Sequence, residues 1–203
     1  MRSAVLVIDM QNGFVHERGS LPSQGGRQLP DLPRVIAENA AMIARARELD
    51  VPVIYTRHVF RPGFPEVIQP RQHGRLPLHA QPLLRGSWDA AIIDELKEAD
   101  GDVVIDKSRY DAFLNTDLDT VLHGLGVEQI LVSGVLTQMC VESTVRTGHQ
   151  RDYEMMVAAD CCSAPPQFHQ ASLDVMAHAF ADVADWRTLM AERVEPDLLP
   201  ALD

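Results

Sequence analysis

The segment "SGVLTQMCVEST" (133–144) sets a cysteine a few residues past an apolar run and a glycine. Free cysteines are among the most buried residue types, so Cys140 can be read as a small packing residue. It can equally be a nucleophile if a base, a cation and a place for an oxyanion arrive from elsewhere in the chain. Asp9, after "AVLVI", and Lys107, closing "DVVIDK", are candidates for the first two. A thiol at its ordinary pKa is only a few per cent thiolate at neutral pH. A helix N-terminus and a nearby ammonium both favour the anion. A carboxylate can take the thiol proton and later hand it to a leaving amine. Backbone N–H groups in a sharp turn before a helix can hold an oxyanion. Gly134 permits such a bend, and Thr137 is placed to cap the helix that follows. Plainer roles stay open: Asp9 as a turn or cap residue, Lys107 as a solvated surface lysine.

Whether these residues can meet depends on the elements that carry them. Apolar runs at 3–8, 51–56, 102–107, 129–134 and 153–160 are rich in Val and Ile and barely alternate. Strands buried on both faces read this way. Between them lie stretches of helical spacing: "DLPRVIAENAAMIARARELD", "NTDLDTVLHGLG", "TQMCVESTVRTGHQRD" and "PPQFHQASLDVMAHAF". A last strand is expected near "ADVADW". The alternation predicts a three-layer α/β/α sandwich with a mostly parallel, Rossmann-like sheet. In such a sheet the carboxyl ends of the strands share one edge, where ligand sites form. Asp9, Lys107 and Cys140 all fall at that edge. Residues 58–88 break the rhythm, being proline-rich and without a clear period. A loop this long is read as a lid or a subunit-contact arm. Residues 1–203 are expected to form one domain.

Composition narrows the function classes. A net charge of −11 with no basic run argues against an electrostatic nucleic-acid binder. No apolar stretch is long enough to span a bilayer, and the N-terminus lacks the pattern of a signal peptide. Three cysteines, two of them adjacent (Cys161 and Cys162), do not make a disulfide framework. Reduced thiols in a cytoplasmic protein are the expectation. Cys161 and Cys162 are read as packing.

Four stretches together, "AVLVIDMQNGF", "YTRHVF", "DKSRYDAF" and "SGVLTQMCVEST", resemble the isochorismatase-like cysteine hydrolases. That group includes nicotinamidases, N-carbamoylsarcosine amidohydrolase, ureidoacrylate hydrolase and biuret hydrolase. The resemblance implies a catalytic triad of Asp9, Lys107 and Cys140. It also implies a non-proline cis peptide at Val135–Leu136, with the N–H groups of Leu136 and Cys140 forming the oxyanion hole. Its activity would be cleavage of the C–N bond of a small amide, ureido or carbamoyl compound through a thioester. Vinyl-ether hydrolysis and a non-catalytic thiol-sensing or binding module are the rivals. The metal-binding nicotinamidases carry Asp-x-His where this chain has Thr56-Arg57-His58, and His73 and His79 lack ligand spacing. No metal and no other cofactor is therefore expected. Gln138 stands where many relatives carry Asn or Asp. Gln11, Phe14, Arg57, His58, Trp88, Arg109, Tyr110, Phe113, Gln138 and Met139 are the candidates for contact with a small-molecule substrate. Analogy with the family points to a homodimer or homotetramer, with no nucleic-acid or membrane partner.

Overall fold

The computed structural model describes residues 1–22, 29–67, 76 and 78–195. Six strands form one parallel sheet: β1 (Ser3–Ile8), β2 (Val53–His58), β3 (Val103–Lys107), β4 (Gln129–Val135), β5 (Glu154–Ser163) and β6 (Asp182–Ala184). Their order across the sheet is β3-β2-β1-β4-β5-β6. The chain winds outward from β1 to β3, then returns to β4 on the other side of β1. That reversal between β1 and β4 is the switch point of a doubly wound sheet, where the strand ends leave a crevice.

β1 is buried along its whole length, and its alternate residues serve two cores. Val5 and Val7 face one layer, with Val35, Met42 and Ile43 of α2 (Leu32–Glu48) and Trp186 and Leu189 of α6 (Trp186–Leu189). The short α1 (Asn12–Val15) adds Phe14 and Val15 to the same layer. Ala4, Leu6 and Ile8 face the other. There they meet Leu118 and Leu122 of α3 (Leu118–Gly124), Val145 of α4 (Glu142–His149) and Leu173 and Met176 of α5 (Pro166–Ala179). Helix α2 shows why its sequence reads as it does. Val35, Asn39, Met42, Ile43 and Ala46 fall on one buried stripe, and Arg45 and Arg47 sit at the negative end of its dipole.

Three elements differ from expectation. β2 runs on to His58, so Arg57 and His58 are strand residues that point to opposite faces. β5 continues to Ser163, its register against β4 shifting between Val132 and Gly134. A bulge of this kind keeps a long strand paired past its apolar run. The helix expected over "TQMCVESTVRTGHQRD" is split into a π-helical turn, Thr137–Val141, followed by α4. Residues 68–75 and 77 of the proline-rich loop, His73 among them, lie outside the described residues. The loop's described ends are stapled to the body. Phe60 N–H donates to the Leu83 carbonyl and Arg85 N–H to the Phe60 carbonyl, each at 2.9 Å. The Asp89 carboxylate accepts from Leu83 N–H and from the N–H and hydroxyl of Ser20. Among the described residues no helix is long and apolar enough to cross a membrane.

Candidate active site

Asp9 leaves β1 with φ of 53°, a left-handed conformation that Asp tolerates better than most residues. The turn brings its carboxylate to the ends of β2 and β3. Thr56 meets it there: its hydroxyl donates to Asp9 Oδ1 at 2.7 Å, and its carbonyl accepts the Asp9 N–H at 3.2 Å. Lys107 ends β3 in register with His58, on the face opposite to Arg57. Its Nζ donates to Asp9 Oδ2 at 2.6 Å and to the Arg109 carbonyl at 3.1 Å. Both side chains are fully buried. Burial opposes the Lys107 charge, but the Asp9 carboxylate and the Cys140 sulfur beside it together hold the ammonium above its ordinary pKa.

Cys140 arrives from the other side of the switch point. Gly134 pairs with Ile8 and has φ of +113°; a Cβ there would stand 2.0 Å from the Ile8 carbonyl oxygen. Only glycine fits this approach. The Val135–Leu136 peptide is cis, and the π-helical turn follows at once. Thr137 does not cap it. The Thr137 hydroxyl lies 2.9 Å from His169 Nδ1, and the turn's carbonyls are held from the helices instead. Ser172 Oγ of α5 is 3.2 Å from the Thr137 carbonyl, and Thr144 of α4 donates to the Cys140 carbonyl at 2.7 Å.

The thiol of Cys140 is 2% exposed. Its sulfur, a carboxylate oxygen of Asp9 and a ring nitrogen of His58 all lie within 4.8 Å of one another. Burial pushes the thiol up to about 12; Lys107 pulls it down and Asp9 pushes it up again. The lysine acts as the sequence argument has it, favouring thiolate, but burial is the larger influence and acts the other way. Burial, with Asp9 beside it, outweighs the Lys107 charge and holds the thiol above its ordinary pKa.

His58 is buried with neither ring nitrogen hydrogen-bonded among the described residues. Its ring stands against those of Phe60 (4.9 Å between centroids), Tyr110 (6.3 Å) and Phe14 (6.4 Å). Burial, followed by the Lys107 charge, depresses its pKa to about 3. The unfolded chain therefore takes up a proton below about pH 6.5 that the folded chain refuses until about pH 3. Stability should fall as pH falls through that window. Urea titrations at several pH values should show this, and His58→Phe should flatten the acid limb.

The other candidates scatter. Gln11 is fully engaged: its Oε1 accepts His58 N–H at 2.7 Å, and its Nε2 donates to the carbonyls of His58 and Ala90. Arg57 pairs with Asp106, shared with Arg85, and lines a cavity of about 190 Å³ on the far face from His58. Arg109 Nη1 donates to the Ser108 carbonyl. Trp88 is 47% exposed, with its ring against His16 and Arg18. Phe113 stacks on Tyr153 in the α3–α5 layer, and Met139 packs on the α2 layer. The Oε1 of Gln138 is buried without a partner among the described residues. Cys161 and Cys162 are packed in opposite cores, and burial raises both thiols. The sequence marks Thr56 only by the carboxylate it lacks, and it does not single out Phe60. Period-2 alternation along β2 puts Thr56 on the His58 face, which is the signal that could have found it.

Asp9, His58 and Cys140 could together face one metal ion. The donor set does not suit a cation, however. One Asp9 oxygen holds the Thr56 hydroxyl and the other holds the Lys107 ammonium, so any ion would sit against a buried positive charge.

Comparison with known proteins gives this geometry a context. Residues 3–188 match the isochorismatase domain family. The chain is 32% identical over 211 residues to ureidoacrylate amidohydrolase RutB of Methylobacterium radiotolerans, covering 97% of this chain and 81% of that protein. It is 34% identical to RutB of Yersinia enterocolitica, covering 92% and 86%. A cysteine hydrolase from Pseudomonas syringae pv. phaseolicola superposes with a TM-score of 0.84 at 30% identity, covering 94% of this chain and 91% of that one. N-carbamoylsarcosine amidase from Thermoplasma acidophilum superposes with a TM-score of 0.74 at 26% identity, covering 92% and 97%.

Proposed function

The chain belongs to the isochorismatase family, and from that premise we propose that it hydrolyses the C–N bond of a small amide, ureido or carbamoyl compound, with Cys140 as nucleophile. The observation that carries this reading is the buried contact of Lys107 with Asp9 at 2.6 Å, beside the Cys140 sulfur. The names of its relatives, ureidoacrylate amidohydrolase and N-carbamoylsarcosine amidase, support the substrate class.

A thiol held above its ordinary pKa sets the order of events. Attack of sulfur on the substrate carbonyl and transfer of its proton to Asp9 occur together, because a free thiolate is costly in so dry a site. Lys107 holds the Asp9 carboxylate beside the sulfur through the 2.6 Å contact with Oδ2. The oxyanion of the tetrahedral species is taken by the N–H groups of Leu136 and Cys140. Asp9 then gives its proton to the leaving nitrogen, the C–N bond breaks, and the acyl group remains on sulfur. A water molecule gives a proton to Asp9 and attacks the thioester carbonyl. The thiolate leaves, recovers that proton, and thiol and carboxylate are restored.

A screen for ammonia or amine release across small amides, ureido and carbamoyl compounds tests the proposal. Turnover of at least one should survive dialysis against a strong chelator, because Lys107 supplies the local positive charge. Stoichiometric labelling of Cys140 with no release from any compound would instead favour a binding or thiol-sensing module. Activity lost to chelator and restored by zinc would overturn the metal-free mechanism.

A further inference from the structure

Protein interiors seldom leave a buried polar atom without a partner, and exceptions call for an explanation. His58 presents two at once. It is 4% exposed, both ring nitrogens lack a partner, and one lies within 4.8 Å of the Cys140 sulfur and an Asp9 oxygen. The ring is also held in place. Gln11 grips the His58 backbone at both its N–H and its carbonyl, while Phe14, Phe60 and Tyr110 wall the imidazole. A neutral imidazole offers one N–H donor and one lone pair.

We propose that His58 contacts the substrate, its lone-pair nitrogen accepting a hydrogen bond from a nitrogen-bound hydrogen of the amide or ureido group. His58 would thus select amides over esters of similar shape. This rests on Cys140 being the reacting thiol, as proposed above. The proton on Cys140 already has Asp9 as its acceptor, and an imidazole that resists protonation is a poor base. Its contribution is recognition. A site built to receive a hydrogen bond discriminates against an analogue that lacks the donor, because the site's own polar atom is then left unpaired.

Iodoacetamide and methyl iodoacetate carry the same reactive carbon, but only the first has N–H groups. The two reagents compete for Cys140 in the full-length protein, and the adducts are counted by mass spectrometry. The amide-to-ester ratio is compared with that of 2-mercaptoethanol. Wild type should exceed the free thiol's ratio by about tenfold, the scale of one well-made hydrogen bond. His58→Phe keeps the aromatic packing and should bring the ratio down to that of the free thiol, with a melting temperature equal to or above wild type. His58→Asn, which retains a donor and an acceptor, should restore part of the preference and serves as the test variant if the Phe protein does not fold. A wild-type ratio equal to the free thiol's, or an elevated ratio that the substitution leaves unchanged, overturns the proposal. So does a wild-type ratio that shifts on chelation, which would assign the His58 nitrogens to a metal. Failure of the Cys140 reading looks different: residue 140 would go unlabelled, or Cys140→Ala would still hydrolyse amides.

Discussion

Cys140→Ala should lower kcat/KM for any amide the protein turns over by at least about 10³-fold, the scale of losing the nucleophile from groups that act as a unit. The fold should persist. Cys140 is buried, but the substitution removes one sulfur and no hydrogen bond of the turn, because Thr144 holds the backbone carbonyl of residue 140. A stability loss of about 1 kcal/mol is the ordinary size for such a change. Far-UV circular dichroism and a melting curve establish that the protein is folded, and steady-state kinetics then give the result. Activity close to wild type in a folded Cys140→Ala protein removes the nucleophile assignment and leaves Cys140 as packing.

The second large effect separates the two charges beside the sulfur. With the thiol near 12, alkylation of Cys140 by iodoacetamide should be slow at neutral pH and climb steadily as pH rises toward that value. Lys107 pulls the thiol down, so Lys107→Met should slow alkylation at every pH below the titration, by about tenfold or more if the shift is of the usual 1–3 units. Asp9 pushes the thiol up, so Asp9→Asn should alkylate as fast as wild type or faster. Both should nevertheless lose amide hydrolysis. Asp9→Asn cannot carry the proton, a role worth about 10²–10⁴-fold. Lys107→Met leaves a buried carboxylate without its partner. The opposite signs matter because a merely structural pair would move both rates the same way. Equal alkylation of Lys107→Met and wild type across the pH range makes the lysine a bystander.

Much of this architecture is written locally in the chain. The apolar runs of β1 to β5 mark strands buried on both faces, and their ends already place Asp9, Lys107 and Cys140 on one edge. The expected three-layer sandwich is the fold observed. The unread part depends on contacts between residues far apart in sequence. Gln11 looks like a pocket residue until its amide is seen spanning His58 and Ala90. Thr137 has the spacing of a helix cap, yet its hydroxyl turns to His169, thirty-two residues on. The absent carboxylate at Thr56 is legible, but not that its hydroxyl would orient Asp9 instead. The sequence shows the Lys107 charge that favours thiolate, but not the burial that, with Asp9, outweighs it. A lysine in the sequence is a positive charge, whereas the Lys107 that reaches the site comes already matched by Asp9.

The approach of Gly134 to the Ile8 carbonyl bears on how such a protein can change. Ile8 immediately precedes Asp9, and Gly134 lies six residues before Cys140 on the same backbone path. Any side chain at 134 would pry β1 from β4 and carry the displacement straight into the distance between carboxylate and sulfur. That seam is closed to variation, and its tolerance is set by main chain rather than by side-chain choice. The rings around the proposed substrate contact are drawn from other stretches, Phe14 after β1, His58 and Phe60 at the end of β2 and Tyr110 after β3. Selectivity can therefore drift through those positions while the reacting atoms keep their spacing, so new specificities can arise around an unaltered reaction.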